Sequence, residues 1–90
     1  MNEPIAQPVA LITGAANGIG RAIAQEFHAA GYALALVDLD AAKLAEVAAA
    51  LAGQVPPLLH TGDLADLGFC QRLVSATAQH FGRLDVLVNN

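Results

Sequence analysis

Ninety residues, 56% apolar and 13% charged, can build one small core, which excludes a disordered chain and a multidomain one. A net charge of −4 with only four lysines and arginines weighs against nucleic acid and anionic membrane as partners, and a single cysteine excludes an internal disulfide framework or a thiolate metal cluster. No apolar run approaches the length of about eighteen residues that a membrane helix needs, and Met1–Pro4 lacks the basic and apolar regions of a signal peptide, so a cytoplasmic protein is expected.

Residues 1–7 read as a polar tail, with Pro4 and Pro8 leading into a first strand over about Val9–Thr13. Ile19, Ala22, Ile23, Phe27 and Ala30 recur at helical spacing and predict a first helix over about Gly18–Ala30, with Gly31 just past its end. Ala33–Val37 is a second apolar run of strand length, ending at Asp38. Asp40 suits the N-cap of a second helix over about Ala41–Leu51, and Gly53 follows as a stop. Pro56 and Pro57 lead to a short third strand around Leu58–Thr61. After a Gly62–Asp66 loop, Leu67, Cys70, Leu73, Val74, Thr77 and Phe81 define a third helix, capped by Asp66 and ended by Gly82, with Cys70 read as a small core residue. Leu84–Val88 is the fourth strand. The order β-α-β-α-β-α-β predicts an α/β fold with a parallel sheet and right-handed crossovers, the first two helices on one face and the third on the other.

The stretch that organises this chain is Thr13-Gly14-Ala15-Ala16-Asn17-Gly18-Ile19-Gly20, where a strand turns into a helix. Glycines let backbone and ligand approach closely, and the helix start offers free N–H groups and a partial positive charge to a phosphate. The spacing is Gly-x-x-x-Gly-x-Gly, neither Gly-x-Gly-x-x-Gly nor a P-loop, since Arg21 follows in place of Lys-[Ser/Thr]. Asp38 lies 18 residues beyond Gly20 at the carboxyl end of a strand, where an acidic side chain hydrogen-bonds the adenosine ribose in dinucleotide-binding folds. A 2′-phosphate there would put like charges together, at roughly 4 kcal/mol for a pair about 4 Å apart at an effective dielectric near 20, before screening. No arginine or lysine stands beside Asp38 or inside the glycine turn, because Arg21 follows the turn and Lys43 lies a turn into the next helix. NAD is therefore expected over NADP. His28, His60 and His80 show no ligand spacing, so no metal site is expected.

Thr-Gly-x-x-x-Gly-Ile-Gly with these landmarks resembles the short-chain dehydrogenase/reductase family. The resemblance spans residues 8–90 and implies a Rossmann-type doubly wound parallel sheet, here incomplete, as a partial NAD-binding domain. It implies cofactor contacts at Gly14, Asn17, Gly18, Ile19 and Gly20, at Asp38 and Leu39, and at Asp63 and Leu64 by the adenine. Leu84-Asp85-Val86-Leu87-Val88-Asn89-Asn90 is similar to the family's fourth strand, which implies that Asn89 steadies the sheet and Asn90 lies beside the cofactor. The family's serine and Tyr-x-x-x-Lys lie downstream of that strand, and Tyr32 is followed four positions later by Leu36, so no catalytic residue is expected in these 90.

The resemblance thus implies the cofactor-binding portion of an oxidoreductase that moves hydride between a nicotinamide and an alcohol or carbonyl compound. The alternatives are a non-catalytic dinucleotide-binding module and, less well matched by the glycine turn, a flavin or methyl-donor binder. A homo-oligomer is expected only of a complete chain. With the fourth strand left as an apolar open edge, the 90 residues alone are expected to be marginally stable.

Overall fold

The computed structural model describes residues 3–51, 53 and 55–90; Met1 and Asn2 of the expected tail lie outside the described residues. Four strands, β1 (Val9–Thr13), β2 (Ala33–Asp38), β3 (Leu58–Thr61) and β4 (Val86–Val88), alternate with three helices, α1 (Gly18–Ala29), α2 (Ala41–Ala50) and α3 (Leu67–Phe81). The strands are all parallel, in the order β3-β2-β1-β4. β1 is buried at all five positions and β2 at its first five, as expected of apolar parallel strands covered on both faces. In register, Ile12 pairs with Leu36 and with Val88.

Side chains alternate across the strands and sort the core into two halves. Ala10, Ile12, Leu34 and Leu36 pack with Ala24 of α1 and Leu44 and Val47 of α2. Val9, Leu11, Ala35 and Val37 pack with Leu73 and Phe81 of α3. The first two helices therefore share one face and α3 takes the other, as right-handed crossovers require. The chain steps outward from β1 to β2 to β3, then returns to place β4 on the other side of β1. That reversal makes a topological switch point between β1 and β4, and ligands of open α/β sheets bind outside the carboxyl ends of the strands at such a point.

Four boundaries differ from the sequence reading. Ala30 and Leu51 are helix caps, not helical residues, and β2 runs one residue further to include Asp38. β4 starts at Val86 because Asp85 binds β1 partly through its side chain: its Oδ2 accepts from the Val9 N–H at 2.8 Å, while its own N–H donates to the Val9 carbonyl at 3.0 Å. β4 is a sheet edge, and Leu87 on it is 57% exposed. Leu67 and Val74, read as part of the apolar face of α3, are exposed too, because only Leu73, Thr77 and Phe81 turn fully inward. Cys70 is half-buried at the rim of the groove between α3 and β4, its thiol 3.1 Å from the Leu64 carbonyl, and not in the closed core.

The described part of the amino-terminal segment, read as a polar tail, is docked. The Ile5 N–H donates to the Phe81 carbonyl at 3.0 Å, and the Ile5 side chain packs against the α3-side core. Arg83 donates from one nitrogen to the Ile5 and Ala6 carbonyls, both at 3.2 Å, while its other two nitrogens hold Asp85 at 2.9 and 2.8 Å. A planar guanidinium can serve both sides at once, which a lysine cannot. Arg83→Lys is therefore expected to release residues 3–7. Limited proteolysis would check it: cleavage in this segment should speed up several-fold while the core stays resistant, and an unchanged rate would count against the clamp.

On the opposite sheet edge, Thr77 of α3 gives its single hydroxyl proton to the Leu73 carbonyl at 2.8 Å, so the 3.3 Å contact with His60 requires His60 Nε2 to be the donor. Burial, and then the positive potential of His80, push the His60 imidazole below its ordinary pKa. The folded chain thus binds this proton less readily than the unfolded one. Stability should be full above the ordinary histidine range of about 6.5 and decline as pH falls through it. Urea melts of the parent and of His60→Gln between about pH 7.5 and 5 should show a shallower acid decline in the variant. Parallel curves would remove His60 as the cause.

Candidate functional site

The glycine turn forms where β1 ends and α1 begins. Gly14 and Gly18 take positive φ, +62° and +54°. A Cβ on Gly20 would lie 2.0 Å from the Gly14 carbonyl oxygen, so α1 can start this close to β1 only with glycine there. A Cβ on Gly18 would meet nothing within 4 Å, so the turn is open on that side. Asn17 is the N-cap residue of α1 by backbone position but makes no side-chain capping bond, whereas Asp40 and Asp66 cap α2 and α3. Its amide oxygen instead accepts from Lys43 Nζ at 3.2 Å. No side-chain capping bond from Asn17 therefore engages the backbone N–H groups at the start of α1, and no acidic side chain sits in its first turn.

Asp38 closes the other side of the turn. One carboxylate oxygen accepts from the Ala16 N–H at 3.0 Å and the other from the Asp40 N–H at 3.2 Å. Burial works to raise its pKa, but the N–H donors of Ala16, Asp40 and Leu39, with the charge of Lys43, outweigh it and hold the carboxyl below its ordinary value. Asp38 is thus an anion at neutral pH with its position set by two backbone bonds.

Gly14, Asp38, Leu39, Asp63, Leu64 and Asn90 converge on one cleft of about 200 Å³, which Val37 and Gly62 complete. Asn17, Gly18 and Ile19 are exposed at the start of α1, and Gly20 is buried beneath the turn. Asp63 spends one oxygen on the Ala65 N–H at 2.9 Å, which shapes its own loop. Asn90 is anchored: its N–H donates to Thr13 Oγ1 at 3.0 Å and its side-chain amide to the Gly14 carbonyl at 3.3 Å. The Thr13 hydroxyl lies 3.3 Å from the Val88 carbonyl and 3.5 Å from Asn89 Oδ1.

Two residues of this site were not picked out as functional from the sequence. Thr13 stitches the end of β1 to the end of β4; its position as the polar residue closing an apolar strand was the available signal. Lys43 was placed away from the turn, and the structure corrects that. It is the third helical residue after the Asp40 cap, and from there its long side chain reaches back to Asn17. Among the described residues, no group of three or more His, Cys, Asp or Glu side chains could hold a metal ion.

Residues 8–90 match the family model for short chain dehydrogenase. The chain belongs to the short-chain dehydrogenases. It is 44% identical over 90 residues to a 1,6-dihydroxycyclohexa-2,4-diene-1-carboxylate dehydrogenase of Pseudomonas putida, covering all of this chain and 33% of that protein. A metagenomic short-chain oxidoreductase in complex with NADP superposes with a TM-score of 0.85 at 34% identity, over 92% of this chain and 38% of that one. A short-chain dehydrogenase/reductase from Burkholderia phymatum in complex with NAD does so at 0.83 and 33% identity, over 90% and 29%. This short-chain dehydrogenase chain thus spans about a third of the length of the curated relative. The Rossmann-like fold and the nicotinamide-dinucleotide class of cofactor agree with the reading of the glycine turn, while solved structures with either NAD or NADP leave the choice between them to local side chains.

Proposed function

We propose that these residues bind the adenosine and diphosphate of NAD, in preference to NADP, as the cofactor-binding part of an oxidoreductase acting on an alcohol or carbonyl compound. One observation carries the reading: the open first turn of α1 lies over the Gly14–Gly20 approach and beside a cleft that contains Asp38, Asp63 and Asn90. The N–H groups of Gly18, Ile19 and Gly20 at the start of α1, with the α1 dipole, hold the diphosphate. Asp38, charged and oriented by Ala16 and Asp40, accepts hydrogen bonds from the ribose hydroxyls. Asp63 and Leu64 face the adenine, and Asn90, fixed on Thr13 and Gly14, steadies the inner end of the cleft. The nicotinamide, when bound, supplies the hydride donor or acceptor.

The 90 residues hold cofactor and do not themselves carry the proton chemistry. Tyr32 stacks edge-on against Phe27 at the opposite end of the sheet from the cleft, their ring centroids 4.8 Å apart, and Ser75 is exposed on α3. Among the described residues no helix is long and apolar enough to cross a membrane.

Parallel titrations of the chain with NAD and NADP, read by the shift in melting temperature, test the proposal. A larger shift with NAD is expected. Absence of a shift with either, in a folded chain, would overturn it.

A further inference from the structure

The loop that carries Asp63 and Leu64 is shaped from behind, by the first turn of α3. Within the loop, the Asp66 N–H donates to the Asp63 carbonyl at 3.0 Å, and one Asp63 carboxylate oxygen accepts from the Ala65 N–H at 2.9 Å. The loop is thus a tight turn that can shift as a unit. Two contacts fasten that unit to α3. The Phe69 ring lies against Gly62, where an added Cβ would stand 2.5, 2.6 and 2.9 Å from three of its carbons. The Cys70 thiol donates to the Leu64 carbonyl at 3.1 Å. From the other side, the Gly62 N–H donates to the Asp38 carbonyl of β2 at 3.2 Å. Leu64 lines the cleft and also, with Cys70, the groove of about 240 Å³ between α3 and β4, so the thiol ties the shared wall of the two to the helix.

We infer that Cys70 is a positioning residue for recognition of the base: its thiol holds the Leu64 carbonyl, and so keeps the Asp63–Leu64 turn in the cleft wall, while Phe69 fixes Gly62 at the entry to the turn. The inference rests on the proposed dinucleotide site. It goes beyond that reading in giving base recognition to residues behind the cleft, since neither Phe69 nor Cys70 lines it. Asp63 leaves its second carboxylate oxygen for the amino group of an adenine, and that contact tolerates little displacement of the turn. The thiol acts on the turn and not on the helix. The cap of α3 is the Asp66 carboxylate, which accepts from the Phe69 N–H at 3.2 Å and does not involve the thiol. Cys70 is only half-buried, and alanine suits a helix, so Cys70→Ala removes the bond and leaves α3 in place.

The test is a pair of dissociation constants, for NAD and for nicotinamide hypoxanthine dinucleotide, in which a carbonyl replaces the amino group of the base. They are measured in reducing buffer on the parent, Cys70→Ala and Cys70→Ser. The parent is expected to prefer NAD. A thiol is a weak donor, so its loss should weaken NAD binding about threefold. Binding of the hypoxanthine analogue, which does not use the Asp63 oxygen as an acceptor, should stay level, so that the ratio of the two affinities falls. Cys70→Ser keeps a donor for the Leu64 carbonyl and should restore the ratio. Equal losses for both dinucleotides would mean a general loosening and would overturn the inference, as would a ratio unmoved by Cys70→Ala, a parent without preference, or alanine and serine variants that behave alike. In each of these cases the parent still binds dinucleotide and the site reading stands. Failure of the folded parent to bind either dinucleotide would overturn the site reading, and this inference with it. Melting temperatures of the three proteins, measured alongside, separate lost binding from lost fold.

Discussion

Alanine at Gly20 is expected to destroy the site and destabilise the fold by about 3 kcal/mol or more. The added Cβ would stand 2.0 Å from the Gly14 carbonyl oxygen, 2.7 Å from the Gly14 carbonyl carbon and 2.6 Å from the Asn90 amide nitrogen. Two of these are backbone atoms of a turn joined to the most buried strand in the protein, so no side chain can swing aside to make room. Relief would require α1 to move away from β1, which would also separate Asn90 from the Gly14 carbonyl. Gly18→Ala is the matched comparison. Nothing lies within 4 Å of a Cβ there, so the expected cost to stability is only the left-handed backbone strain, about 1 kcal/mol. The methyl would nonetheless occupy the open side of the turn and should weaken dinucleotide binding. Urea melts and NAD titrations of both variants check this pair. Equal stability losses would show that the close approach at Gly20 can relax, and full NAD binding by Gly18→Ala would place the diphosphate elsewhere.

Asp38→Asn is expected to weaken NAD binding by about 10- to 30-fold, the value of one charge-assisted hydrogen bond of about 1.5–2 kcal/mol. An amide keeps one oxygen, so either Ala16 or Asp40 loses its acceptor while the other retains it, and a modest loss of stability should accompany the loss of affinity. The pH dependence follows from the direction of the shift. The folded carboxyl sits below its ordinary pKa, so what it contributes is fully present above the unfolded value and is lost as pH falls through the folded one. NAD affinity of the parent should therefore be level from about pH 8 to pH 5 and decline only in the acid range below about 4. A break near pH 6 would mean that burial wins over the backbone donors, and would undo the account of Asp38 as a pre-oriented anion.

The element order, the parallel sheet, the division of helices between two faces and the glycine turn were legible from the residues. Each of these is written in local pattern: apolar runs of strand length, helical spacing of Leu44, Val47, Leu73, Thr77 and Phe81, and caps at Asp40 and Asp66 that hydrogen-bond within three residues. The place of Asp38 beside the glycine turn was legible because its distance from the turn is set by one helix and one strand, both of ordinary length. Contacts between residues far apart in the chain were decided only by the tertiary structure. Thr13 with Asn90, Asp85 with Val9 and Arg83 with the carbonyls of Ile5 and Ala6 are each separated by more than seventy positions, and no spacing rule predicts them. Those bonds turned a presumed tail into a docked segment and a terminal asparagine into an anchored one. Lys43 is the clearest case. In sequence it is one charge on an alanine-rich helix, and only the fold brings its side chain across 26 positions to the amide oxygen of Asn17, the N-cap residue of α1 that makes no side-chain capping bond. Backbone donors such as the Ala16 N–H carry no residue-type signal at all, so the force that orients Asp38 could only be seen once the turn was folded around it.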